Sequence, residues 1–287
     1  MMVKRKKILL TTVTFTLLTF ITACTDLTSV REWSGTSLEA TQYNELITTY
    51  ANTPERLKRY DSSPQWDEQI ASRKNQAEAL KLLLEVVSDY MSVLAILSSD
   101  NIVDYSKDTE TLKKNLVKLN KNTASGSKQI SMKTIGAAGS LVKTMLNATT
   151  KACQSRKITN IIEHANEPLQ KIIGPQGDLF QIVDNDFRRD LKTEKIKINA
   201  FYKNLSRSGN PSSAAKEAVA EWQEMRLGQN EKRLNAVDAY LETLRKIAIG
   251  HQKIYDNRDS LDSKDLVKQL RTLSAELRKQ IKILSQS

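Results

Sequence analysis

Two histidines, two cysteines and one polar interruption in a long helical pattern are where this chain could do chemistry. Glu163-His164 and Glu167 set two carboxylates beside one imidazole, and helical spacing puts His164 and Glu167 on one face. Such a pair could supply one edge of a metal site. A metal needs three or four ligands, however, and neither His164 nor His251 belongs to a His-x-x-x-His, Glu-x-x-His or Cys/His spacing. We therefore read His164 as a salt-bridged surface histidine and His251, which falls on an apolar seam, as a hydrogen-bonded core histidine. No Gly-rich phosphate loop or Gly-x-Ser-x-Gly elbow is present, and Ser125-Gly126-Ser127-Lys128 has none of the companion motifs of penicillin-binding enzymes. The expectation is no catalysis, no metal and no cofactor. Arg226, Gln229 and Arg233 are different, because they occupy seam positions where a closed bundle wants apolar side chains. They need polar partners, either carboxylates on neighbouring helices or groups of another protein, and are the candidate partner-binding residues.

The elements that must hold these residues read as helices throughout. With 9 glycines, 5 prolines and 6% aromatics in 287 residues, the chain lacks the turns and aromatic strands of a sandwich or barrel. After Ser63-Pro64, apolar residues recur at spacings of four and three from Trp66 through Ala77, Leu80, Leu84, Val87 and Met91 to Leu94, broken only by Arg73. Leu83, Tyr90 and Leu97 widen that stripe beyond what a two-stranded coiled coil requires. Similar series run over Ile102 to Leu119, Ile135 to Ala152, Phe180 to Leu205, Val219 to Ile254 and Leu266 to Leu284. In the third of these, Phe201 and Leu205 are assigned to the seam, and in the fourth Trp222 is, with a kink near Gly228 or a phase shift spanning the polar interval. Pro168 implies a kink or break, Gly174-Pro175-Gln176-Gly177 a turn, and Asp178 the cap of the next helix. The fold expected is all-α, an elongated antiparallel multi-helix bundle with long heptad-patterned helices, formed by residues 36–287 as a single domain. A capping box, Thr36-x-x-Glu39, opens it.

Ahead of that domain stand Lys4, Arg5, Lys6 and Lys7, then Ile8 to Ile21 without a charge, then Thr22-Ala23-Cys24. This order of basic, apolar and small-residue regions is that of an export signal. The apolar run is shorter than the roughly 20 residues a membrane span needs. Ile21-Thr22-Ala23-Cys24 resembles the lipobox of bacterial lipoproteins. The resemblance covers residues 1–24 and implies that residues 1–23 are cleaved and that Cys24 carries the lipid, so that the chain is anchored to the bilayer through acylated Cys24. It further implies outer-membrane placement facing the periplasm in a host with two membranes, since Thr25 rather than aspartate follows the cysteine. Residues 24–35 are expected to be the lipidated cysteine and a tether without helical period, reaching ~36 Å at most. With Cys24 lipidated, Cys153 has no partner for an internal disulfide, and is expected to be a partly buried structural thiol.

Removal of four basic and no acidic groups lowers the formal net charge from +11 to +7, a solvated mixed surface rather than a polyanion-binding one. Export also removes nucleic acid from the expected partners. Two functions follow. The first is a membrane-anchored, non-catalytic envelope protein that binds another envelope protein as scaffold, adaptor or inhibitor. The alternative is a membrane-active helical protein of pore-forming type, inserting the segment around residues 130–148, where Gly136-Ala137-Ala138-Gly139-Ser140 is unusually small. Lys133 and Lys143 interrupt that segment, which favours a close helix crossing instead.

Overall fold

A computed structural model describes residues 26–99, 130–148, 154–209 and 211–286. Cys24, Cys153 and the Ile102 to Leu119 series lie outside the described residues. The fold is all-α, with six principal helices packed against one another and no strand among the described residues. In chain order the helices are α1 (Thr28–Thr41), α2 (Glu45–Ala51), α3 (Thr53–Lys58), α4 (Gln65–Leu97), α5 (Met132–Ala148) and α6 (Gln154–Ile173). After them come α7 (Asp178–Gln181), a π-helical turn (Ile182–Phe187), α8 (Arg188–Leu205), α9 (Ser213–Asp256) and α10 (Lys264–Leu284).

The heptad residues of α4 are buried as their spacing requires, Leu80, Leu84, Val87, Met91 and Leu94 all being at most 2% exposed. Its second half is buried on nearly every side, because α1, α5 and α6 surround it. Asp67 and Glu68 in the first turn meet the positive end of the helix dipole. Helix α9 is capped by the Ser212 hydroxyl, which accepts from Ala215 N–H at 3.3 Å, and runs 44 residues without a break at Gly228. Helices α6 and α9 are antiparallel, joined by Thr159 to the Arg258 carbonyl, Asn166 to Gln252 and Gln170 to the Ala248 carbonyl.

Several expectations are corrected. The proposed tether is helical from Thr28 onward, and Val30 and Trp33 are completely buried. Its inward face is built of Ser34, Ser37, Ala40 and Thr41, small and hydroxylated residues that carry no apolar period. Two of these hydroxyls need not face water, since Ser34 donates to the Val30 carbonyl at 2.8 Å and Thr41 to that of Leu38 at 2.8 Å, whereas that of Ser37 is buried without a partner among the described residues. Thr36 caps nothing, being inside α1 and bonded to the Glu32 carbonyl at 2.9 Å. Gly250 is what admits Trp33, because a Cβ there would stand 2.4 Å from the indole Nε1.

Helix α6 continues through Pro168 as one element, and the following turn is closed by Gly177 N–H donating to the Gly174 carbonyl at 2.7 Å. Asp178 does not cap its own helix. Its carboxylate accepts from Ser131 N–H at 2.6 Å, ahead of the first turn of α5. In α5 the small residues face both ways, with Ala137 and Ala138 buried and Gly136 exposed. The alanines, not that glycine, bring α5 onto its neighbours. No described helix is long and apolar enough to cross a membrane.

Candidate functional site

His164 is exposed and its Nδ1 bonds the Asn160 carbonyl at 2.8 Å, while Glu167 pairs with Lys171 instead. The expected histidine–carboxylate pair is therefore not formed. His251 is fully buried, with Nε2 2.5 Å from the Tyr90 hydroxyl and Nδ1 2.9 Å from Asn166 Oδ1. Asn166 Nδ2 donates to Gln252, which fixes Asn166 Oδ1 as acceptor, so His251 carries its proton on Nδ1 and accepts from Tyr90. Burial pushes the imidazole down to about 3. His251 is a neutral strut between α4, α6 and α9. Among the described residues no three His, Cys, Asp or Glu side chains are grouped as metal ligands.

The polar interval of α9 is where the surface opens. The buried positions there follow Val219, Asn230 and Val237, with Arg226 and Arg233 half-buried between them. The seam thus passes through Asn230 rather than Gln229, and Asn230 Nδ2 donates to the Leu191 carbonyl of α8 at 3.0 Å. Trp222, assigned to the seam by spacing, is 53% exposed, and Met225 is 56% exposed. On α8 the same rotation buries Tyr202 and exposes Phe201 and Leu205. The physical reason is local: among the described residues, beyond Asn230 the two helices pack on each other and, through α8, on Tyr60, Asp61 and Trp66 where α3 passes into α4. Ile198, Tyr202 and Val219 form a small cluster of their own, covered by Tyr60 and Leu227 and separate from the main core. This paired end of α8 and α9 is an arm with its outer apolar side chains in solvent.

At the root of the arm lies a cleft of about 390 Å³ between α2, α3 and α9, with Phe187 of the π-helical turn among its lining residues. Behind two of its lining residues, Arg56 and Arg233, stands a buried carboxylate. Glu194 is 2% exposed and accepts from Arg56 Nε at 3.0 and 3.1 Å, while Arg233 Nη1 stands 3.6 Å away. Arg56 is held further by the Thr49 carbonyl at 2.8 Å and the Thr53 hydroxyl at 3.0 Å. Burial pulls the Arg56 guanidinium below its ordinary range, and Glu194 opposes that shift. Two guanidiniums thus face one carboxylate. Arg59 and Lys232 add positive charge at the rim, against Glu45 and Glu55, and Glu55 is engaged by Lys74 at 2.9 Å.

The named candidates divide accordingly. Arg233 and Gln229 line the cleft, and Arg226 lies one turn along α9, donating to Gln229 Oε1 at 3.2 Å. Arg56, Arg59, Lys232 and Trp222 were not legible as site residues by periodicity. One signal was available: Trp222, Met225, Gln229 and Lys232 recur at spacings of three and four, a stripe of their own beside the Val219–Asn230 seam. The arrangement can bind. Guanidinium and ammonium donors at the cleft suit a carboxylate, and the exposed indole offers an apolar platform. No known protein family, no curated protein and no solved structure matches this chain.

Proposed function

We propose that this chain is a lipid-anchored protein of the bacterial cell envelope that holds another envelope protein on the α8–α9 arm, without catalysis or cofactor. The observation that carries this reading is the inversion on the arm: Asn230 and Glu194 are buried while Trp222, Met225 and Ile196 stand 53%, 56% and 70% exposed. Placing apolar groups outside and polar groups inside costs free energy in an isolated chain, and a partner that covers the arm recovers it. Anchoring through Cys24 makes the partner an envelope protein, facing the periplasm from the outer membrane where the host has two membranes. The burial of α1 from Val30 onward supports a short leash, since only a few residues separate Cys24 from the packed helix.

Insertion of residues 130–148 is less well supported. It would strip Ala138, Leu141, Val142 and Met145, each at most 2% exposed, from the core. A photo-crosslinker at position 222 in intact cells tests the arm directly. Capture of one envelope protein, lost when Met225→Ser and Ile196→Ser are introduced with the melting temperature unchanged, is the expected result. No adduct at position 222, with adducts at control positions on α10, would overturn it.

A further inference from the structure

We infer, resting on the arm reading above, that the partner presents an acidic amphipathic helix: its apolar face covers Trp222 and Met225, and its carboxylates enter the cleft between α3 and α9. Trp222, Met225, Gln229, Lys232 and Arg233 fall within one sector of α9 about 100° wide, so apolar platform and cationic cleft form one continuous strip. The strip from Trp222 to Arg233 spans 11 residue steps, ~16 Å, about three turns of a docked helix. Charge complementarity selects its chemistry. Glu194 already occupies Arg56 and leaves Arg233 only a 3.6 Å contact, so the cleft keeps surplus positive charge with Arg59 and Lys232 beside it.

Two other anionic occupants fit less well. A lipid headgroup is remote, because Arg233 lies 17 residue steps, ~25 Å, along α9 from the Trp33–Gly250 contact that packs the anchored end of the chain. A long polyanion would bring a phosphate at every step against Glu45 and Glu55, whereas a helix can space one or two carboxylates to meet only the cations.

The protein carries its own reporter. Of its three tryptophans, Trp33 is 0% and Trp66 8% exposed, so a shift of emission on docking comes from Trp222. The probe is a synthetic amphipathic helix with leucines along one face and glutamates flanking it, compared with a twin carrying glutamines. Titrated into the full chain, the glutamate peptide is expected to blue-shift Trp222 emission and to bind at least about tenfold more tightly than its twin. Arg59→Glu with Lys232→Glu should abolish that preference, the neutral Arg59→Gln with Lys232→Gln should reduce it, and Lys216→Glu outside the cleft should leave it intact. Phosphatidylglycerol vesicles should leave Trp222 emission unchanged. Equal affinity for the two peptides, binding of neither, indifference to the reversals or a response to vesicles would overturn the inference. Crosslinking at position 222 is read independently, so the arm reading can stand when the acidic-helix inference falls.

Discussion

Single side chains in this protein carry the consequences of contacts that bring distant segments together. Gly250 has Trp33 against it where a Cβ would be 2.4 to 2.6 Å from three indole atoms. Since Trp33 is wholly buried, its ring has no free direction in which to retreat. Gly250→Ala is expected to destabilise the protein by about 1 to 3 kcal/mol despite the better helix propensity of alanine, read as a lower urea midpoint. His251 makes a second prediction, in pH. Its folded-state value is depressed from 6.5 to about 3 by burial, so the unfolded chain takes up a proton that the folded chain refuses. The stability contributed by the neutral ring is whole above pH 6.5 and is lost as pH falls through the window toward 3. Urea unfolding at about pH 7 and about pH 5 should give a clear loss for the natural chain and a smaller one for His251→Gln. An equal pH dependence in both would remove His251 as the cause.

Helices here are held by polar contacts at the few places where their apolar stripes break. Arg73 interrupts the α4 stripe, and its guanidinium pairs with Asp190 of α8 at 2.9 Å and lies over the Tyr50 ring at 4.4 Å. Burial raises the Asp190 carboxyl above its ordinary value, against the pull of Arg73. A single Arg73→Leu leaves that carboxylate without its partner and should cost about 3 to 5 kcal/mol. The double change Arg73→Leu with Asp190→Leu should recover much of it, which a double-mutant cycle of denaturant midpoints measures. The π-helical turn Ile182–Phe187 precedes α8, so the residues that follow it, Asp190 and Glu194, meet Arg73 and Arg56 at the register it leaves them.

For the whole molecule, the Trp33–Gly250 contact that seats the first helix and the arm sit far apart along α9. From Gly250 to Ser213 is 37 residue steps, ~55 Å of helix. The lipoprotein reading then holds the arm away from the bilayer, where it can reach a partner standing in the envelope space. Cys24→Ser should abolish lipidation and yield either a released or an unprocessed protein. Metabolic labelling with a palmitate analogue checks this, and a labelled Cys24→Ser chain would refute the anchor.

Helix identity, the central place of α4 and the turn after Ile173 were legible in the sequence, because hydrophobic period and Gly-Pro chemistry act over a few residues. Such local signals fail where burial is satisfied without apolar side chains. Helix α1 buries serines and threonines, three of which (Ser34, Thr36 and Thr41) bond their own backbone, so nothing in its composition separates it from a tether. Spacing also could not choose between two faces of α9, one carrying Trp222 and the other Asn230, since both repeat at three and four. That choice rests on which neighbours are present: α8 supplies a carbonyl for Asn230, and among the described residues no third helix covers Trp222. The cleft is likewise a tertiary product. Arg56 and Glu194 are 138 positions apart and Arg233 comes from a third segment, so their encounter exists only once α3, α8 and α9 have packed.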